Sequence, residues 1–186
     1  MGKIKVHEFM SLDGVIENPV WTMEFGFDPK MGEAIGGLTS GGDGAILLGR
    51  TTFEMFAPAW STRTAEEDPG APFFNDTSKY VVASTTPSVE WANSVMLGAY
   101  DPAAIEKLKA DVSGTIYVSG SAILVRGLLQ DGLVDELHLF VYPVTLGRGL
   151  RLFTEDLPGH KLSLVASETY ANGVVHLAYA PAKGDG

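Results

Sequence analysis

Two short segments join an apolar strand to residues suited to holding an anion. One is Ala45-Ile-Leu-Leu-Gly49-Arg50-Thr51-Thr52, and the other is Ile116-Tyr-Val-Ser119-Gly120-Ser121-Ala122. In each, the apolar run meets a glycine and a hydroxyl residue then opens a helix. In an open parallel sheet such turns lie at the carboxyl ends of strands, where these sheets bind ligands. Glycine lets a ligand approach the backbone closely, and the exposed amides and helix dipole favour negative charge. The threonine and serine hydroxyls add donors, and Arg50 adds a planar fork suited to phosphate. Two such turns could hold the two ends of one dinucleotide. The plain structural alternative makes Thr51 and Glu54 a capping box and Ser121 an ordinary N-cap.

Other chemistries find little support. There is no G-x-x-x-x-G-K-[ST] loop, and the glycines at 36–44 precede a strand instead of following one, which argues against Rossmann and flavodoxin-like folds. The chain has no cysteine, which removes thiol catalysis, zinc-thiolate sites and iron–sulfur chemistry. His7, His138, His160 and His176 share no metal-ligand spacing, so no metal is expected. His7, His138 and His176 fall in strand-like stretches and read as surface or satisfied sheet residues. Ser119 and Ser121 have no identifiable base, and no G-x-S-x-G elbow occurs. With 23 acids against 13 bases the net charge is −10. Such a surface repels phosphate backbones, so nucleic acid is not an expected partner. An anionic ligand must be held by local devices, which singles out the five arginines Arg50, Arg63, Arg126, Arg148 and Arg151. No apolar run reaches the length of a membrane span, and the start lacks the apolar segment of a signal peptide. A soluble cytoplasmic protein is expected.

The elements that must position these turns are legible in outline. At 186 residues and 45% hydrophobic, the chain reads as one domain, residues 1–183, able to bury a sizeable core. Strands are expected at 3–10, 44–48, 79–84, 95–97, 115–118, 136–144, 162–169 and 174–180. Helices are expected from Asp28-Pro29 to about Leu38, at 53–56, at 102–111 behind Asp101, and at 122–130. Residues 57–78, with Pro58, Pro69, Gly70 and Pro72, read mostly as loop. Asn172-Gly173 signals a hairpin, and 184–186 should fray. Alternating strand and helix imply a parallel sheet, to which the last third adds antiparallel strands.

On these residues the chain resembles the bacterial family that joins dihydrofolate reductases to the reductase domain of riboflavin biosynthesis. The matching pieces are Ser11-Leu-Asp-Gly14, Leu48-Gly-Arg-Thr-Thr52 with Phe53-Glu54, Lys79-Tyr-Val-Val-Ala-Ser84 and Val118-Ser-Gly-Ser-Ala122. Gly132-Leu-Val-Asp-Glu136, Pro143-Val-Thr-Leu-Gly147 and Arg151-Leu-Phe153 follow in the family's order. The resemblance implies a dihydrofolate-reductase-like α/β fold in three layers, a mostly parallel central sheet flanked by helices and closed by a C-terminal antiparallel hairpin. It implies NADPH as hydride donor. Gly49, Arg50, Thr51 and Thr52 would meet the adenosine 2′-phosphate and pyrophosphate side, with Ser84 and Thr85 near the adenosine. Gly120, Ser121, Ala122 and Ile123 would hold the pyrophosphate, and Val15 and Ile16 would flank the nicotinamide. A homodimer through the C-terminal strands is implied as well.

The departures limit what carries over. The riboflavin reductase usually has a carboxylate two residues before the glycine of the second turn, where this chain has Val118. It also has an acidic-acidic-proline segment with a downstream arginine, where this chain reads 49–60 (GRTTFEMFAPAW). Dihydrofolate reductase carries an acid on its first helix, for which Glu33 and Asp28 are the candidates here, although a solvated helix carboxylate is the plainer reading. Trp21 loosely echoes its substrate loop. Asp13 could transfer a proton or, more simply, shape the turn before Gly14. Arg148 could line the substrate mouth or a subunit interface. The expected function is NADPH-dependent reduction of a small C=N or C=O substrate, a pterin- or pyrimidine-like heterocycle. The alternatives are a non-catalytic dinucleotide-binding module and the pyrimidine reductase step of riboflavin biosynthesis.

Overall fold

The computed structural model describes residues 1–40 and 43–182. Part of the loop after the first helix, the domain limit at 183 and the tail expected to fray lie outside them. Among the described residues eight strands form one sheet: β1 (Lys3–Ser11), β2 (Ala45–Gly49), β3 (Ser78–Val82), β4 (Ser94–Gly98), β5 (Thr115–Ser119), β6 (Glu136–Tyr142), β7 (Leu162–Thr169) and β8 (Val175–Pro181). Their order is β4-β3-β2-β5-β1-β6-β8-β7. Every pair from β4 to β6 is parallel, while β6–β8 and β8–β7 are antiparallel.

Among the described residues five α-helices cover the sheet: α1 (Pro29–Thr39), α2 (Arg50–Trp60), α3 (Ala71–Asp76), α4 (Pro102–Asp111) and α5 (Ala122–Gln130). Alternation along the strands sorts their side chains to two faces. On one face Ile4, Val6, Leu47, Ile116, Val118 and Leu137 pack against Ile105 and Leu108 of α4 and Leu124, Val125 and Leu128 of α5. On the other, Ile46, Leu48 and Val81 meet Phe53 and Ala57 of α2, and Phe140 and Tyr142 meet Met31 of α1. The result is the three-layer arrangement expected, closed by the β7–β8 hairpin.

The stretch 57–78 corrects the loop expectation. α2 runs through Pro58 to Trp60, and α3 follows at Ala71–Asp76. Proline inside a helix forfeits one hydrogen bond, but packing offsets the loss. Phe53 and Ala57 are buried, and Trp60 stacks on Phe74 with ring centroids 4.1 Å apart. The Trp60 carbonyl also accepts from Asn75 Nδ2 at 2.9 Å. Lys79 is buried at the start of β3, and its ammonium donates to the carbonyls of Phe74, Asn75 and Thr77. Burial lowers its pKa to about 8.

Candidate active site at two joined turns

The two glycine turns meet. The Gly49 amide donates to Ser121 Oγ at 3.0 Å, and the Ser121 amide donates to Thr52 Oγ1 at 2.9 Å. Gly120 has φ +60°, and a Cβ there would stand 3.2 Å from Thr52 Oγ1, so the close approach needs glycine. Ser121 is itself left-handed at φ 57°, an uncommon conformation for a residue with a side chain.

Both capping expectations are corrected by this contact. Neither α2 nor α5 has a side-chain cap. Ser121 gives its hydroxyl to the neighbouring turn. Glu54 Oε1 accepts from Ser88 N at 2.7 Å, Ser88 Oγ at 3.0 Å and Arg50 Nε at 3.1 Å, so no capping box forms with Thr51. Those donors, the Ser88 amide foremost, hold the Glu54 carboxyl below its ordinary range. Ser121 and Thr52 therefore spend their oxygens on joining the turns. The first-turn amides of both helices, such as those of Arg50, Thr51, Ala122 and Ile123, have no side-chain cap among the described residues and are left as donors. Two uncapped N-termini side by side make a concentrated positive field for an anion.

Arg50 stands beside them with its side chain 44% exposed. Its Nη1 donates to Thr85 Oγ1 at 2.5 Å, which brings Arg50, Ser84 and Thr85 together at the end of β3. A wide groove lined by Asn75, Ser88, Trp91 and Asn93 contains none of the turn residues.

The loop after β1 is tied to the loop after β6. Asp13 accepts from Ser11 Oγ at 2.7 Å, Leu146 N at 3.0 Å and Gly147 N at 2.7 Å. The Ser11 hydroxyl first, then the two amides, hold its carboxyl far below the usual range. Both oxygens of Asp13 are thus engaged by the chain itself, and its task here is to anchor the loops. Val15 bridges Arg151, Arg151 Nε donates to the Asp13 carbonyl at 3.0 Å, and Leu150 N donates to Glu17 Oε2 at 3.2 Å. Val15 and Ile16 are buried; Arg148 is exposed and has no hydrogen bond among the described residues.

Asp28 caps α1 through the Lys30 amide at 2.9 Å, and its second oxygen accepts from Ala171 N at 3.0 Å. Glu33 is exposed on α1. Trp21, in a 3-10 turn at Pro19–Phe25, stands edge-on to Tyr142 at 5.4 Å, beside Phe25 and Phe9.

Buried polar groups of the central strands were missed. Glu8 is 2% exposed, and its Oε2 accepts the Gly120 amide at 3.1 Å. Strand alternation could have flagged it, a carboxyl on the apolar face of β1. Of the two readings for the strand histidines, His7 takes the hydrogen-bonded sheet one: it is buried, with Nδ1 2.6 Å from Tyr117 Oη. Burial, then His138 and His176, lower its pKa to about 3. His138 bonds His176 at 3.0 Å and Glu136 at 3.0 Å. Among the described residues no cluster of three or more His, Asp or Glu is placed to hold a metal, and no helix is long and apolar enough to cross a membrane.

Comparison with known proteins gives the same frame. The model of the RibD C-terminal domain matches residues 2–176. An uncharacterized Bacillus subtilis protein, YyaP, is 27% identical over 179 residues, 91% of this chain and 90% of its own. A putative riboflavin biosynthesis protein from Shewanella sp. PV-4 superposes with a TM-score of 0.74 at 19% identity, covering 97% of this chain and 99% of that one. Dihydrofolate reductase from Enterococcus faecalis, complexed with NADP(H) and RAB-propyl, gives 0.66 at 16% identity, covering 98% of both chains.

Proposed function

Because the chain belongs to the RibD C-terminal domain family, we propose that it is an oxidoreductase that uses NADPH to reduce a C=N or C=O bond in a pterin- or pyrimidine-like heterocycle. The observation that carries this reading is the pair of uncapped helix N-termini held together by Ser121 and Thr52. Helix ends normally recruit a side chain to their orphan amides. Here the side chains best placed to do so are turned elsewhere, and the amides stay available to a ligand.

The donor set fits a dinucleotide phosphate. Gly49 and Gly120 let the two turns meet, the α5 amides would face the pyrophosphate, and Arg50 with Ser84 and Thr85 suits the 2′-phosphate end. Bound NADPH would supply the hydride. The protein's part is to fix the reacting carbon against it and keep water out. Val15 and Ile16 would wall the nicotinamide, with Trp21 and Arg148 toward the substrate. Glu33 remains the helix carboxylate free to support protonation. The same reading expects a homodimer through β7, whose residues are exposed along nearly its whole length.

The test is titration of the purified protein with NADPH and with NADH, followed by quenching of tryptophan fluorescence, with Arg50→Ala alongside. Micromolar binding of NADPH that exceeds NADH, and loses that preference in the variant, is expected. Binding of neither nucleotide would overturn the reductase reading.

A further inference from the structure

Glu8 stands on a face of β1 otherwise given to apolar side chains. Alternation sets it between Val6 and Met10, and its register partner on β6 is Leu139. All three belong to the apolar cluster beneath α4 and α5. Oε2 accepts the Gly120 amide, but Oε1 is buried with no partner among the described residues. A bare buried carboxyl oxygen costs stability that an apolar residue of similar size would not. Burial pushes the Glu8 carboxyl well above the usual carboxylate range, with the Gly120 amide opposing it. The neutral acid has one hydroxyl. With Oε2 accepting from Gly120, the neutral acid would carry its hydroxyl on Oε1, a donor with no acceptor among the described residues.

We propose that Glu8 is a recognition residue of the nucleotide site, its Oε1 hydroxyl donating to a phosphate or carboxamide oxygen of a nucleotide seated on the Gly120–Ala122 turn. The proposal rests on the nucleotide reading above and extends it to a residue on a different strand. Glu8 holds the amide of the glycine that opens the turn, and Thr52 holds the next amide. The next amides along the chain are those that open α5, two residues on from the Gly120 amide that Glu8 holds. A neutral donor at that point suits an anion, whereas an ionised carboxylate would repel it. His7 and Tyr117, the titratable groups beside it on β1 and β5, project from the opposite face.

The experiment uses the full chain labelled with 13C-carboxyl glutamate, read by infrared difference spectroscopy with NADP+ as the probe. A carboxylic-acid carbonyl band at neutral pH that disappears in Glu8→Gln, and shifts when NADP+ binds, is expected. In fluorescence titrations Glu8→Gln, which keeps an acceptor for Gly120 and puts an NH2 donor at the free position, should bind NADPH like the wild type. Glu8→Leu should bind roughly tenfold more weakly, the worth of one hydrogen bond to a charged group. The shift is read on the wild type, so it stands even where a variant fails to fold. A band that is absent, or that stays unmoved while the nucleotide binds, overturns this proposal alone. Failure of the wild type to bind either nucleotide overturns the reductase reading and this proposal together.

Discussion

Ser121 Oγ accepts the amide of Gly49 at 3.0 Å, joining two turns 72 residues apart in the chain. With the Ser121 amide on Thr52 Oγ1, each turn is the other's support. Ser121→Ala orphans one amide and Thr52→Val the other, and each should cost about 1–2 kcal/mol in urea unfolding. Their effects should fall short of additive in the double variant, because breaking either contact loosens both turns. Strict additivity would show that the turns are held independently.

Asp13 ties the loop after β1 to the loop after β6 through Leu146 and Gly147. Its folded-state pKa is depressed, so the carboxylate's contribution is fully present above the unfolded value of about 3.9 and is lost as pH falls through the lower folded value. The difference in urea midpoint between wild type and Asp13→Asn should therefore be constant above about pH 4 and shrink below it. A difference that grows on acidification would mean that Asp13 is not held as the charged form.

His7 also loses its contribution on acidification, but over a higher pH range. Its pKa falls from 6.5 to about 3 on folding, so the unfolded chain takes up a proton that the native chain refuses. Stability is complete above pH 6.5 and declines as pH drops toward 3, by about 1.4 kcal/mol per pH unit from this residue. His7→Leu should make the acid-side slope shallower by one proton, whatever its constant cost from orphaning the Tyr117 hydroxyl. Equal slopes in guanidinium unfolding series would show that His7 is protonated in the folded protein.

The exposed strand β7 carries Leu164 at 57% and Val165 at 59% exposure. If two copies meet there, Leu164→Lys with Val165→Glu should give monomers in analytical ultracentrifugation and leave the far-ultraviolet dichroism unchanged. A wild type that sediments as a monomer at all concentrations would remove the dimer.

Local signals made much of this legible. Asp101 ahead of Pro102, and Gly132 after 122–130, bracketed α4 and α5 as the structure has them. Pro58 misled, because its cost is local while the Trp60–Phe74 stack that outweighs it comes from the next helix. The two glycine turns could be picked out as a pair, but not the contact between them. Ser121 carries a residue type that usually caps, and only the folded contact with Gly49 and Thr52 shows its oxygen and amide spent on the other turn. Glu8 escaped because its partner, Gly120, lies 112 residues away.

The place of β1 in the sheet governs how the chain must come together during synthesis. It is made well before β5 and β6, yet it lies between them, and its His7–Tyr117 bond spans 110 residues. At roughly 5–20 residues per second, Ile4, Val6 and Met10 leave the ribosome several seconds before any strand that can cover them. Until then β1 is a sticky ribbon awaiting its neighbours, and a holding chaperone would find its target in that nine-residue strand.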